Sequence, residues 1–293
     1  MYFFKEVPKK LAIPFFRWIA SRRYIYYQFC ELYNTTIVSG KIKVRPKNIK
    51  GVYTLYAKSH IASRLLISDY ESSVVNAINK LNFIDGIVVN IGANVGLICI
   101  HVALTFKNCE KVIAIEPNID ALNLLNENVA QNCVEDKIEV INACVGKSEG
   151  YIDLFYIPEI PEYSSIGSEM VHQSIKDVKQ ESYQVKMIRL DKLKVGKINL
   201  IIIDTEGAEY IILEGSISVL LKDYPILLFE CEELLLNKFG NSSADIFKLL
   251  NEQGYNMVNV ETGKIMKNAN NFKGEILAFC PEKHLSIVKL FNL

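Results

Sequence analysis

An apolar strand that ends in two nearby glycines constrains the architecture of this chain more than any other feature. The run GIVVN (residues 86–90) passes into IGANVG (91–96) and then into the apolar segment LICIHVALTF. A buried strand therefore breaks at a turn and continues as a helix. The next apolar run, KVIAI (111–115), ends in Glu116, Pro117 and Asn118, with Glu116 twenty-four residues after Gly92. Glycine at 92 and 96 lets the backbone pass close to a bound group, and Glu116 can accept hydrogen bonds from two ribose hydroxyls. The Gly-Ala-Asn-Val-Gly spacing lacks the third glycine that would open a helix N-terminus to a pyrophosphate. A cofactor with ribose and adenine but no phosphate suits this pattern, S-adenosyl-L-methionine above all. A nicotinamide dinucleotide suits it less.

The rest of the chain repeats the strand–helix rhythm. Residues 69–83 read as a helix with Val74, Ala77, Ile78 and Leu81 on one face. Strands follow at 87–91, 111–115, 138–142, 199–204 and 226–231, with helices at 95–106, 118–132, 207–221 and 243–253. The helix at 118–132 is expected to bury Leu122, Leu125 and Val129. YNMVNV and EILAFC, joined through a Thr-Gly turn, predict an antiparallel hairpin at the C-terminal end. Near-continuous apolar strands alternating with helices imply an α/β fold: a mostly parallel sheet with helices on both faces. Residues 146–185 interrupt the rhythm with polar, turn-rich sequence. The chain of 293 residues, half of them apolar, suffices for one large domain with an appendage.

VVNIGANVG (88–96), VIAIEPNIDALNLLNENVAQN (112–132), ACVGKSEG (143–150), SSIG (164–167), LDKL (190–193) and IDTEGAEYIILEG (203–215) together resemble the FkbM family of S-adenosylmethionine-dependent methyltransferases. The likeness runs from about residue 70 to 260, so that 69–293 forms the expected methyltransferase domain and 1–68 an N-terminal arm. It implies a Rossmann-like class I fold with a seven-stranded sheet, and O-methylation of a hydroxyl on a sugar, a glycan or a small metabolite. A catalytically silent relative that serves glycan enzymes as a binding partner is the alternative.

In such a sheet ligands lie beyond the carboxyl ends of the strands. Asn90, Gly92, Asn94 and Gly96 are then placed to wrap the methionine and ribose parts of the cofactor. Glu116, with Pro117 and Asn118 beside it, clamps the ribose, while Asn142, Ala143 and Cys144 line the adenine. Asp204 follows four apolar residues and so caps a buried strand where the transferable methyl belongs. Asp204 also serves the cofactor, and Asp204 with Glu206 stands on the acceptor side. Glu230, ending the next strand, is the third catalytic candidate, and Glu209 serves its helix dipole. His101 reads as structural, His60 and His284 fall outside the matched core, and His172 has the fairest claim to accept a proton. No His, Cys or Asp grouping has metal-ligand spacing, so no metal is expected.

Two positions depart from the pattern the resemblance implies: Asn90 stands where Asp is usual, and Ile202 where Lys is common. Asn keeps an acceptor but loses charge, and Asp204 without a cationic neighbour is expected to have a raised pKa. The insert, with Tyr151, Phe155, Tyr156, Tyr163 and the Ser164–Ser165 pair, reads as a lid over the acceptor.

Residues 1–50 hold eleven Lys and Arg against two Asp and Glu, although the whole chain is neutral. Arg17, Arg22 and Arg23 interrupt the aromatic stretch 11–29, leaving no apolar run of the roughly 18 residues a membrane span needs. A helix packed on the main domain suits this stretch, as does an interfacial helix meeting anionic lipid. Nucleic acid ranks third, since no binding motif accompanies the charge. Seven scattered cysteines without a C-x-x-C pair point to a reducing cytoplasm, and a lipid-linked acceptor would place the protein at the inner membrane face. Oligomeric state is not legible in the sequence.

Overall fold

Branched apolar residues dominate the strands, and their alternation sets two faces to be covered. In the computed structural model, which describes residues 40–67, 69–167, 179–269 and 271–290, strands β3 (Gly86–Ile91), β4 (Cys109–Ile115), β5 (Ile138–Ile141), β10 (Ile198–Ile203) and β11 (Ile226–Glu232) run parallel. β14 (Lys273–Phe279) joins β11 antiparallel, and β12 (Asn256–Asn259) joins β14. Val88, Leu200, Ile202 and Leu228 point to one side, where α2 (Ser72–Lys80), α3 (Leu97–Thr105) and α4 (Ile119–Gln131) cover them. Val89, Ile201, Ile203 and Phe229 point to the other, under α5 (Glu209–Gly215), α6 (Ile217–Asp223) and α8 (Ser243–Glu252). This is the doubly wound architecture expected, with one difference in the strand count. The sheet has eight strands, not seven, because the chain turns at Gly263 and Ile265–Met266 (β13) pairs back on β12.

Other differences have local causes. The helix expected at 207–221 breaks at Ser216, whose hydroxyl takes the Ile212 carbonyl at 2.6 Å and competes with the helical ladder. On α4, Leu124 is fully buried while Leu122 is only half-buried. The described parts of the polar insert are not irregular. Its strands β7 (Gly150–Tyr156), β8 (Ser164–Ile166) and β9 (Glu181–Ile188) form a small sheet with β6 (Cys144–Val145). The expected helix at 11–29 and His172 lie outside the described residues.

The described part of the expected arm packs into the main core. A hairpin of β1 (Lys41–Val44) and β2 (Tyr53–Tyr56) precedes α1 (His60–Ile67), and Tyr53, Leu55, Ala62 and Leu65 share one apolar cluster with Val74, Ile78 and Val102. The edge of β2 is closed by side-chain amides of α4 standing in for a strand. Asn128 Oδ1 accepts the Thr54 N–H at 2.7 Å, and Asn128 Nδ2 donates to the carbonyls of Thr54 and Val95 at 3.1 and 2.8 Å. Asn132 makes the same pair of bonds to Val52, at 2.8 and 2.7 Å.

Asn128 is fully buried, so truncation leaves backbone groups that water does not reach. Asn128→Ala is expected to lower unfolding free energy by about 3 kcal/mol. Denaturant titration checks this, and an unchanged midpoint would show that these bonds contribute nothing net.

Candidate functional site

Three strand ends meet at Gly92. Its N–H and that of Ala93 both donate to the Ile115 carbonyl at 3.0 Å, and the Asp204 N–H donates to the Ile91 carbonyl at 3.1 Å. Gly92 has φ +77°, and a Cβ there would lie 1.8 Å from the Asp204 carbonyl oxygen. No side chain fits. Gly96, at φ +92°, turns the chain into α3, and a Cβ there would strike Leu125 Cδ1 at 2.7 Å. Between them Asn94 also adopts positive φ, 47°, which aims its N–H at Glu116.

Beyond these strand ends lies a cavity of about 220 Å³. Glu116 lines it and is 4% exposed. Its Oε2 accepts the Asn94 N–H and its Oε1 the Asn118 N–H, both at 2.7 Å. Burial pushes the carboxyl up to about 7 against the pull of these two donors. A carboxylate so held keeps two lone-pair positions for two hydroxyls. A smaller adjoining chamber of about 50 Å³ is lined by Tyr70, Glu71, Asn90, Ile202, Asp204 and Glu275, among others. Asn90 Oδ1 and Asn94 Oδ1 are buried without hydrogen-bond partners. Buried polar atoms are seldom left so. Together with the tight glycine turn, these atoms fit a ligand that carries a ribose and a polar tail.

The expected cofactor residues take different places. Asn90, Gly92, Asn94, Glu116, Pro117, Ala143 and Cys144 line the two chambers. Gly96 shapes the turn behind them. The side chain of Asn118 caps α4, accepting from the Asp120 N–H at 2.9 Å, and donates to the Pro161 carbonyl at 3.3 Å. Asn142 Nδ2 donates to the carbonyls of Glu116 and Pro117, both at 3.2 Å. These two asparagines hold the loop that holds Glu116. Asn90 and Ile202 are register partners on β3 and β10, so the two departures from the family pattern are neighbours in one wall.

Of the residues expected on the acceptor side, Asp204 and Glu206 line the larger cavity and are solvent-accessible from it, and Glu206 has φ +57°. Glu230 is half-buried and stands opposite Glu275 across β11 and β14. Glu209 folds back to accept from Thr205 N–H at 3.0 Å, Thr205 Oγ at 2.8 Å and Gly207 N–H at 3.3 Å, so it shapes the loop. Of the lid residues, Tyr163, Ser164 and Ser165 line the cavity, whereas Tyr151 is 72% exposed and Tyr156 bonds Glu181. His101 is structural: its ring contacts the Lys50 N–H and Asn79 Oδ1, both at 3.0 Å, and burial lowers its pKa to about 4.

Sequence reasoning missed His60, Arg64, Tyr70, Glu71, Glu162 and Glu275, all of which line these chambers. Glu275 follows a glycine at the start of the last strand, in register with a strand-end acid. That pairing was the one signal available. The others come from segments whose position depends on tertiary packing.

Residues 90–257, more than half of the chain, match the methyltransferase FkbM domain. Methyltransferase sdnD from Sordaria araneosa is 25% identical over 154 residues, which cover 44% of this chain and 59% of that protein. The chain thus spans about three-fifths of this curated relative. Among solved structures, methyltransferase FkbM from Methylobacillus flagellatus is 15% identical with a TM-score of 0.43, covering 74% of this chain and 54% of that one. TYW2 from M. jannaschii, solved in complex with AdoMet, is 13% identical with a TM-score of 0.44, covering 83% and 88%.

Acids dominate the site, and each affects the others. Desolvation first, then the charges of Glu230, Glu71 and Glu206, hold Asp204 well above the usual carboxylate range, despite its access to the cavity. Glu230 and Glu275 are pushed up to about 8 by burial and neighbouring acids, and burial lifts Glu162 to about 7. A carboxyl with a raised pKa binds its proton more tightly in the folded chain than in the unfolded one. Its stabilising effect is complete below about 4.5 and is lost as pH rises through 7 to 8. The melting temperature of the ligand-free protein is expected to fall between about pH 5 and pH 8.5. Glu275→Gln should flatten that slope. A melting temperature that rises over this range would contradict the assignment.

Proposed function

This chain belongs to the FkbM family of methyltransferases, and on that footing we propose that it transfers a methyl group from S-adenosylmethionine to a hydroxyl oxygen of a sugar, a glycan or a small metabolite. The observation that carries the reading is Glu116. It is a buried carboxylate fixed by two backbone N–H groups, with two lone pairs to spare, beside the Gly92 turn and the unpartnered oxygens of Asn90 and Asn94. The methyl donor supplies an electrophilic methyl on a positively charged sulfonium.

The chain's own residues divide the remaining tasks. Gly92, Asn94 and Gly96 wrap the donor, and Glu116 holds the ribose hydroxyls. Pro117 and Ala143 flank the adenine, while Asn118 and Asn142 keep the loop of Glu116 in place. Asn90 faces the amino-acid end. Asp204 and Glu206 stand where the donor and acceptor meet, orienting one toward the other, and Glu230 supports them from the strand behind. Positioning in a dry site supplies much of the acceleration in such in-line transfers. The lid closes the acceptor side with Tyr163, Ser164 and Ser165.

Calorimetric titration with S-adenosylhomocysteine tests the cofactor assignment. Saturable binding is expected, with losses of about 100-fold or more in Gly92→Val and Glu116→Ala. Binding of NADH in its place would overturn it. Asp204→Asn should leave that affinity nearly intact and abolish turnover. Full turnover in this variant would remove Asp204 from the chemistry.

The basic aromatic stretch 11–29 supports a second element of the reading: peripheral contact with anionic lipid on the cytoplasmic side, bringing the site to a lipid-linked acceptor. Among the described residues no helix is long and apolar enough to cross a membrane. Deleting residues 1–35 is expected to release the protein from anionic vesicles without changing cofactor affinity. Unchanged vesicle binding would remove this element.

A further inference from the structure

Glu162 lies in the lid turn between β7 and β8, outside every motif that carries the family likeness. Its backbone is tethered from below, where Asn118 Nδ2 donates to the Pro161 carbonyl at 3.3 Å. Its side chain is tethered from the other flank. Oε1 accepts the N–H of His60, the first residue of α1. Next to it, the ring of Tyr163 stands edge-on to that of His60 at 5.2 Å. Oε2 is buried and has no hydrogen-bond partner, although Glu162 belongs to the wall of the larger cavity, beside Tyr163, Ser164 and Ser165. A carboxylate with one oxygen fixed and the other unsatisfied, in the wall of the cavity, awaits a donor.

We propose that Glu162 is the group that receives the hydrogen bond, and then the proton, of the acceptor hydroxyl. The proposal rests on the hydroxyl-acceptor reading given above. In the step it implies, the acceptor O–H bond breaks with the proton passing to Glu162 Oε2. The acceptor oxygen forms the new bond to the methyl carbon, and the carbon–sulfur electron pair returns to sulfur, which becomes a neutral thioether.

Charge favours Glu162 over the acids across the cavity. Asp204 feels the charges of Glu230, Glu71, Glu206 and Glu275, and Glu206 those of Glu209 and Glu232, against which Lys238 and Arg64 act. The groups around Glu162 are Arg64, the N–H groups of His60 and Ile61 and the phenol of Tyr163. Burial nonetheless lifts its carboxyl to about 7, against the pull of those donors, and a group near the working pH exchanges protons most readily. Protonating Oε2 leaves the bond between Oε1 and His60 undisturbed, so α1 need not move during the cycle.

The test uses the full chain, methyl-tritiated S-adenosylmethionine and a panel of methyl glycosides of hexoses and 6-deoxyhexoses as acceptor probes. S-adenosylhomocysteine binding is measured on the same samples. Glu162→Gln keeps an oxygen for the His60 N–H. It is expected to lower kcat by about 100-fold or more on the best glycoside, with KM and S-adenosylhomocysteine affinity within about threefold, and to erase the fall in rate on the acid side of pH 7. Glu162→Asp should recover part of the rate. The proposal is overturned if Glu162→Gln keeps its rate and pH profile, or if its loss of rate tracks a loss of cofactor affinity or of melting temperature. Failure of every glycoside, with S-adenosylhomocysteine still bound, removes the hydroxyl-acceptor reading and this role with it. Failure to bind S-adenosylhomocysteine removes the cofactor assignment itself.

Discussion

Gly92 and the carbonyl of Asp204 approach so closely that a methyl group between them would sit 1.8 Å from the oxygen. Two strands from opposite halves of the sequence, β3 and β10, are thereby brought together just where both stop being strands. The same residue donates its N–H to the end of β4. With the three ends knit at one point, the loops that leave them must diverge, and the space they leave is the cavity. The positions of Asn94, Glu116 and Asp204 all follow from this junction. A side chain at 92 would push β10 away and displace the acid at 204 before any ligand arrived.

The walls above the junction are tied together by one helix. α4 and the residue that ends it fix the hairpin of β1 and β2 through Asn128 and Asn132, and the N-terminal end of α4 holds the turn between β7 and β8. Asp120 Oδ2 accepts the Glu159 N–H at 3.0 Å, and Asn118 reaches the Pro161 carbonyl. From β9, the Tyr183 hydroxyl accepts the Ile119 N–H at 2.7 Å and donates to the Pro117 carbonyl at 2.6 Å. The turn between β7 and β8, the hairpin and the glycine turn thus share a support made of amides, the Asp120 carboxylate and one phenol. The amides and the phenol keep their hydrogen-bonding capacity across the pH range in which the carboxyls of the site change charge.

The frame of the molecule was open to reading because it is written in local pattern. Branched apolar runs gave the strands, the Gly92 and Gly96 pair gave the turn, and Glu116 sat at the strand end that a ribose-binding acid requires. Asp204 was legible for the same reason. Glu162, His60 and Arg64 were not, because nothing in PEIPEYSS or HIASRLLI says that the two segments will meet. Their places in the cavity wall come from tertiary contact alone. Asn118 and Asn142 also stand at strand ends, and their side-chain amides bond the protein's own backbone, a use that only the tertiary structure shows. The lid's strands escaped notice because charged and polar residues fill their exposed faces.

Asn90 and Ile202 make a pair across two strands. They face each other in register on adjacent strands, 2% and 4% exposed. The family likeness puts an acid and a lysine at these positions, which on this backbone would be an ion pair buried in the chamber wall. Losing one partner of such a pair leaves a charge without compensation and is strongly destabilising, whereas replacing both by neutral residues costs far less. A charge restored at one of these two sites alone would therefore be buried in the wall without its partner, at a greater cost than the neutral pair incurs.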